Sequence, residues 1–165
     1  MGFALAATED GGIMEYDGML FDLFGTLVDD DGQAIEGAAA LLARLDGYKR
    51  ALVTSCGRGL ALGLIRHAGI PAFDAIVTSD DVRANKPAPD GYLAAARLLE
   101  LPPGRCLVVE DSPQGIAAGR AAGMDVVAVL RGREAGFASA ATMSFASLLR
   151  LSEALQIGPD GRVRL

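Results

Sequence analysis

The chain has 165 residues, of which 51% are hydrophobic and 22% are charged, the composition of a packed globular domain. The length predicts a single domain over residues 1–165. A formal net charge of −6 with scattered basic residues argues against a nucleic-acid partner. No stretch approaches the roughly 18 uninterrupted apolar residues of a membrane helix, and the chain begins without a basic, then apolar, leader. We therefore expect a cytoplasmic protein with no membrane partner, in which Cys56 and Cys106 are free thiols.

Short apolar runs alternate along the chain with stretches rich in Ala and Leu. Five runs apolar on both faces are predicted strands: Met19–Phe24, Ala51–Thr54, Ala75–Thr78, Cys106–Val109 and Val126–Leu130. Four stretches with an apolar face are predicted helices: Glu36–Leu45, Leu60–Ala68, Gly91–Leu101 and Gln114–Ala122. Residues 1–17 could form a loose arm or an added hairpin, and residues 158–165 are expected to form a surface tail. The alternation predicts an α/β fold with a three-layer, doubly wound parallel sheet.

Polar residues follow several of the predicted strands or lie in the adjoining loops. Asp22 lies at the end of the first, Thr54 and Ser55 at the end of the second, and Glu110-Asp111 after the fourth. In open α/β sheets, ligands bind beyond the carboxyl ends of the strands. We therefore expect these groups to meet at one sheet edge, joined by Lys86 from the loop before the third helix. Each group alone has a simpler interpretation, as a turn, cap or solvated loop residue.

Four segments carry a family resemblance: DLFGTLVD, ALVTSCG, NKPAPDGYLAAA and VVEDSPQGIAAGRAAGM. In this order they resemble the four motifs of the haloacid dehalogenase superfamily of hydrolases, over roughly residues 19–130. The closing motif, Glu110-Asp111-Ser112, is similar to that of the phosphatase and β-phosphoglucomutase-like members. The resemblance implies an enzyme that acts on a phosphorylated substrate, small or larger, with Mg²⁺ as cofactor.

The resemblance also implies a role for each matching residue. Asp22 would be the nucleophile that forms an aspartyl-phosphate, with Thr54 and Lys86 binding and neutralising the phosphoryl oxygens. The implied metal ligands are Asp22, the backbone carbonyl of Phe24, Asp111, and Glu110 as a direct or outer ligand. Gly25, Thr54, Ser55 and Lys86 would form the substrate-binding set, with exposed amides around Gly25 contributing.

Phe24 departs from the pattern of the phosphatases, which usually carry a second aspartate two residues after the nucleophile as general acid and base. A phenylalanine cannot transfer a proton, and positioned acid–base catalysis contributes roughly 10²–10⁴-fold. Three consequences remain open: substrates with good leaving groups, an acid borrowed from Asp29, Asp30 or Asp31, or an inactive relative. Dehalogenase members also lack this acid, so C–halogen hydrolysis is an alternative, and a catalytically degenerate binding module is another.

The second departure is length. Many relatives insert a helical cap between the first two motifs, but the interval Val28–Val53 has room only for a core helix and a strand. The sequence therefore predicts no cap, and an open cleft that suits a large substrate or closure by a neighbour in a homo-oligomer. His67, the single histidine, and Cys56 lie outside the proposed chemistry.

Overall fold

The computed structural model describes residues 13–165, which form two β-sheets and five helices. The strands are β1 (Glu15–Tyr16), β2 (Gly18–Phe21), β3 (Lys49–Val53), β4 (Ala75–Val77), β5 (Cys106–Glu110), β6 (Asp125–Val129), β7 (Met143–Phe145), β8 (Gln156–Ile157) and β9 (Val163–Arg164). The helices are α1 (Ala38–Arg44), α2 (Arg58–His67), α3 (Asp90–Leu98), α4 (Pro113–Ala121) and α5 (Leu148–Ala154). Three short 3₁₀ turns lie at Ser79–Asp81, Pro103–Arg105 and Ala135–Ala138.

The main sheet has six parallel strands in the order β4-β3-β2-β5-β6-β7. Its two faces carry separate hydrophobic cores, one built with α1, α2 and α5 and the other with α3 and α4. Leu20 of β2 lies beside Ala51 of β3 and Val108 of β5, and all three side chains are buried. Burial on both faces explains why the strands have continuous apolar sequences. The predicted doubly wound α/β fold is confirmed, and β2 and β3 are joined by α1 with no inserted domain between them.

The predicted elements are all present, with shifted ends. The first strand ends at Phe21, three residues before its predicted end, because the following residues turn back. In that turn the Leu23 carbonyl accepts hydrogen bonds from the amides of Leu27 and Val28 at 2.8 and 3.0 Å. The third helix ends at Leu98, because Glu100 adopts a left-handed backbone conformation with φ of 57°. Ser112 caps α4 with its side chain, followed by Pro113 at the first helical position.

The chain after the fifth predicted strand contains elements that the sequence patterns did not indicate. Strand β7 extends the main sheet, and α5 buries Leu148 and Leu151 against the core. The prediction of a surface tail over residues 158–165 is wrong at its end, because Val163 and Leu165 are buried. Strand β9 pairs with both β1 and β8 in a small antiparallel sheet. Of the segment 1–17, residues 1–12 lie outside the described residues.

No helix among residues 13–165 has both the length and the hydrophobicity needed to cross a membrane.

Helix α5 should contribute to stability through Leu151, which is fully buried. We expect Leu151→Ala to lower the free energy of unfolding by about 2–5 kcal/mol, because it leaves a cavity in the core. Leu98→Ala is the matched control on α3, since Leu98 is 63% exposed; its effect should stay within about 0.5 kcal/mol. Urea denaturation monitored by circular dichroism measures both. Equal effects of the two substitutions would contradict the packing of α5 described here.

Candidate active site

The predicted site residues lie together at the carboxyl edge of the main sheet. Asp22 follows β2, Thr54 follows β3, and Asp111 follows β5, the three adjacent central strands. They line an open cleft of about 380 Å³, a volume typical of small-molecule sites. The residues lining this cleft are Asp22, Phe24, Thr54, Ser55, Cys56, Lys86, Asp111, Ser112 and Gln114.

Lys86 joins the ends of these strands. Its ammonium group donates hydrogen bonds to Asp22 Oδ1 at 2.6 Å, to Glu110 Oε1 at 2.6 Å and to the Val53 carbonyl at 2.9 Å. Only 9% of the Lys86 side chain is exposed, and Glu110 is fully buried. All three N–H donors of the lysine are therefore used within the protein, and the ammonium acts on a ligand chiefly through its charge.

Glu110 has both carboxylate oxygens engaged. Oε1 accepts from Lys86 and, at 2.7 Å, from the Tyr92 hydroxyl. Oε2 accepts from the amides of Asp111 and Ser112 at 3.0 and 3.3 Å, and from the Ser112 hydroxyl at 3.1 Å. Of the two predicted roles for Glu110, direct or outer metal ligand, this saturation favours the outer one.

Asp22 and Asp111 lie close together with a shared hydroxyl between them. The Thr26 hydroxyl is 3.2 Å from Asp22 Oδ2 and 3.4 Å from Asp111 Oδ1. One oxygen each of Asp22, Glu110 and Asp111 lies within 4.8 Å of the others. On the far side of Asp111, an Arg133 N–H donates to its carboxylate at 3.2 Å and to its carbonyl at 2.8 Å.

Two glycines allow this close packing. Gly25 has a φ of +77°, and a Cβ atom at this position would overlap the Asp111 carboxylate. Gly115, in the first turn of α4, lies so close to Glu110 that a Cβ atom would overlap its carboxylate. The predicted turn at Gly25 is present, but its amide donates to the Val28 carbonyl at 2.8 Å and is not available to a ligand.

The site carries more negative than positive charge in its buried part. Burial, then the charge of Glu110, raises the pKa of Asp22 to about 7, against the opposing effect of Lys86. Burial and Glu110 likewise raise the pKa of Asp111, although Arg133 opposes them. Burial alone would lower the pKa of Lys86, but the carboxylates of Asp22 and Glu110 outweigh it and raise that pKa. A site of this kind favours a bound cation.

The three carboxylates also have the chemistry that Mg²⁺ prefers, since they offer hard oxygen ligands. Neither the amide nor the carbonyl of Phe24 takes part in a hydrogen bond within residues 13–165. The Phe24 carbonyl, which is predicted to be a metal ligand, is thus available to a cation. The Phe24 amide is likewise available to an anion. The residues therefore fit the cation that the sequence predicts.

Phe24 itself is half-buried, lines the cleft and packs against the hydrophobic core. The aspartates considered as substitute acids lie elsewhere: the Asp29 carboxylate accepts from the amides of Asp31 and Gln33 at 3.0 and 2.8 Å. Asp30 and Asp31 are exposed, and none of the three lines the cleft. These observations support the interpretation of Asp29, Asp30 and Asp31 as residues of a solvated turn.

The Thr54 hydroxyl has only weak partners. It donates to the Cys56 sulfur at 3.3 Å and accepts from the Cys56 amide at 3.3 Å. Because thiol sulfur is a weak acceptor, the hydroxyl can turn toward a ligand at little cost. Ser55 is exposed beside it, whereas His67 lies on the exposed end of α2 with its ring against Gln33.

Sequence reasoning missed Thr26, Tyr92, Arg131 and Arg133. The two arginines follow β6, whose carboxyl end reaches the same sheet edge as the other motifs. The strand-end rule applied to this strand would have found them. Nothing in the sequence indicates Tyr92, which reaches Glu110 from within α3.

A parallel α/β fold with clustered carboxylates and a buried lysine at its strand ends is typical of a class of hydrolases. The chain belongs to the haloacid dehalogenase-like hydrolase family, whose model matches residues 28–123. The matched range contains Thr54, Lys86, Glu110 and Asp111 and begins just after Asp22. The family resemblance seen in the four motifs is confirmed.

Two phosphatases of Escherichia coli (strain K12) are similar to the chain. Hexitol phosphatase A is 46% identical over 98 residues, which is 58% of this chain and 45% of that protein. A fructose-1-phosphate phosphatase is 44% identical over 80 residues, 48% of this chain and 43% of that protein. The chain thus spans less than half the length of these relatives. The crystal structure of a β-phosphoglucomutase from Clostridium difficile superposes with a TM-score of 0.64 at 28% identity, covering 72% of this chain and 52% of that one.

The contact of Gly115 with Glu110 can be tested by adding one methyl group. We expect Gly115→Ala to lower the free energy of unfolding by about 1–3 kcal/mol, because the new Cβ displaces the Glu110 carboxylate. Gly63→Ala, in α2 with open space around it, should instead raise that free energy by about 0.5–1 kcal/mol. Chemical denaturation of both variants is the measurement. Stabilisation by both substitutions would show that Glu110 does not approach α4 in this way.

Proposed function

We propose that the chain is a Mg²⁺-dependent phosphohydrolase that works through an aspartyl-phosphate on Asp22. Its substrates are phosphorylated molecules whose leaving group departs without being protonated. The observation that carries the proposal is the contact of Asp22 with buried Lys86, beside a second carboxylate, Asp111, within 4.8 Å. The names of the similar phosphatases support the same reaction class.

In the first step an Asp22 oxygen attacks phosphorus, a P–O bond to the aspartate forms, and the bond to the leaving oxygen breaks. The electron pair departs with the leaving group as an anion. Lys86 keeps Asp22 oriented, and its charge offsets the negative charge that gathers on the phosphoryl group. The Thr54 hydroxyl and the Phe24 amide supply hydrogen bonds to phosphoryl oxygens.

In the second step water attacks the phosphorus of the aspartyl-phosphate and the P–O bond to Asp22 breaks. Both protons of the water stay on the phosphate product, which forms as H2PO4⁻, so Asp22 returns as a carboxylate. No carboxylate that lines the cleft is free to act as a base, because Asp22 is the phosphorylated residue and Asp111 is a proposed metal ligand. This step therefore depends on the charge and orientation that the other residues provide.

Asp22, Asp111 and the Phe24 carbonyl would bind Mg²⁺, with Glu110 as an outer partner that positions Lys86. When bound, the cation supplies positive charge that neutralises phosphoryl oxygens and favours the ionised form of Asp22. Thr26 and Arg133 position Asp22 and Asp111 toward it.

Phe24 favours a second candidate, a phosphate-binding module that has lost catalysis. The cleft has no acid at this position, so an ester with a poor leaving group would not turn over. Against this candidate, the complete Lys86–Asp22–Glu110 arrangement is present. C–halogen hydrolysis has no comparable support, since it makes no use of the site's excess of carboxylates.

Replacing the proposed nucleophile tests the mechanism. Asp22→Asn should reduce hydrolysis of acetyl phosphate in Mg²⁺ by more than about 10³-fold, because the amide cannot form the aspartyl-phosphate. Asp46→Asn, on the exposed turn after α1, is the control and should keep full activity. Phosphate release measured with and without Mg²⁺ gives both effects. Undiminished turnover by Asp22→Asn, with a native circular dichroism spectrum, would remove Asp22 from the mechanism.

Restoring an acid at Phe24 separates the two candidate functions. We expect the parent to hydrolyse acetyl phosphate but scarcely phenyl phosphate, and Phe24→Asp to raise kcat/KM on phenyl phosphate by about 10²–10⁴-fold. The gain on acetyl phosphate should be much smaller, because its leaving group needs no proton. A parent inactive on both substrates and revived by Phe24→Asp would instead support the degenerate module.

A further inference from the structure

We propose that Arg131 binds a negatively charged leaving group, so that the site selects phosphorylated molecules that carry a second anionic group next to the phosphoryl group. The inference rests on the proposed function and names its substrate class. Phosphoanhydrides and phosphorylated molecules with a carboxylate beside the phosphoryl group belong to this class, whereas phosphate esters of neutral alcohols do not.

Arg131 has an unusual backbone conformation. It follows β6 in a turn that is closed by a hydrogen bond of 3.0 Å from the Arg133 amide to the Leu130 carbonyl. Arg131 and Gly132, the two central residues, both have positive φ, 51° and 77°. Glycine or asparagine would adopt the first of these at lower cost. An arginine here is best explained by what its side chain contacts.

That side chain crosses to the turn that follows the nucleophile. An Arg131 N–H donates to the Gly25 carbonyl at 3.1 Å, and Gly25 is the residue between Phe24 and the Thr26 hydroxyl. Gly25 also lies directly against the Asp111 carboxylate. The exposed guanidinium is therefore anchored to the residue that follows Phe24, and Phe24 lines the cleft. Within residues 13–165 it forms no ion pair, so most of its N–H donors remain for a ligand.

Arg133, unlike Arg131, has its guanidinium engaged by several groups of the protein. Its guanidinium donates to Asp111 and to the carbonyls of Val129 and Leu130, and its carbon lies 4.5 Å from the centre of the Phe137 ring. These contacts commit Arg133 to positioning Asp111. Of the two arginines, Arg131 is the one whose charge is available to a substrate.

The charges of the site lead to the same assignment. A divalent cation, Lys86 and Arg133 would together carry one positive charge more than the three carboxylates, which is less than the charge of a phosphoryl group with a second anionic group beside it. Such a substrate needs a further positive charge. Arg131 supplies one where the leaving group departs. Its guanidinium cannot give up a proton, but it can donate hydrogen bonds to an oxygen that leaves with the electron pair of the broken P–O bond.

Two non-hydrolysable analogues test this assignment in the presence of Mg²⁺. Phosphonoacetate carries a carboxylate beside its phosphonate, and phosphonoacetamide replaces that carboxylate with a neutral amide of the same shape. Titration calorimetry of the parent should show at least about tenfold tighter binding of phosphonoacetate, as expected for a charge-assisted hydrogen bond. Arg131→Gln should abolish this preference, while Arg150→Gln, an exposed arginine on α5, should retain it. Arg131→Lys should retain part of it.

The same variants in turnover distinguish this proposal from the general one. Arg131→Gln should lower kcat/KM for 4-carboxyphenyl phosphate about tenfold relative to 4-carbamoylphenyl phosphate. A parent that hydrolyses both substrates equally, or a preference that survives in Arg131→Gln, overturns the role of Arg131 and leaves the phosphatase proposal standing. If the parent hydrolyses neither aryl phosphate, the binding preference decides the role of Arg131, and only a parent that also fails to hydrolyse acetyl phosphate defeats the phosphatase proposal. A parent that binds neither analogue overturns that role as well.

Discussion

The buried ammonium group of Lys86 is the contact on which the rest of the site depends. It binds Asp22 beyond β2, the Val53 carbonyl of β3 and Glu110 of β5, so one charge ties together three neighbouring strand ends. Charges this deeply buried are tolerated only when they are paired and fully hydrogen-bonded. Tyr92 and the amides after β5 complete the partners of Glu110. These contacts fix the position of the Lys86 ammonium group, and the hydrogen bond from this group orients the Asp22 carboxylate.

This arrangement leaves the carboxylates only partly neutralised. Burial and mutual repulsion raise the pKa of Asp22, the proposed nucleophile, to about 7. A cation that favours the ionised form would therefore also activate it. In the proposed mechanism, metal binding would thus be coupled to readiness for attack on phosphorus. Two further positive groups lie near the excess of negative charge: Arg133 contacts Asp111, and Arg131 contacts Gly25.

The chain has Phe24 where related phosphatases have an acid, and no cap is inserted between β2 and β3. In the proposed reaction, substrate selectivity therefore depends on residues of the core domain. The cleft is open, and the acids that line it are Asp22, the proposed nucleophile, and Asp111, a proposed metal ligand. In the proposed reaction a leaving group must therefore be stable as an anion, and Arg131, on the turn after β6, donates a hydrogen bond to the carbonyl of Gly25, the residue next to Phe24. The matched part of this chain covers less than half of each relative named as a phosphatase, so their substrates need not be shared.

The order of apolar runs and the residues at their ends were enough to predict the doubly wound sheet and the meeting of Asp22, Thr54, Lys86, Glu110 and Asp111, because parallel strands bring their carboxyl ends to one edge. The sequence could not predict that the Gly25 amide is used within its turn, that Glu110 is saturated, or that Val163 and Leu165 are buried. These features depend on which atoms meet across long separations in the chain. Local periodicity carries information about neighbours three or four residues apart. Tyr92, Arg131 and β9 contact residues far away in the chain, and these contacts form only when the whole core packs.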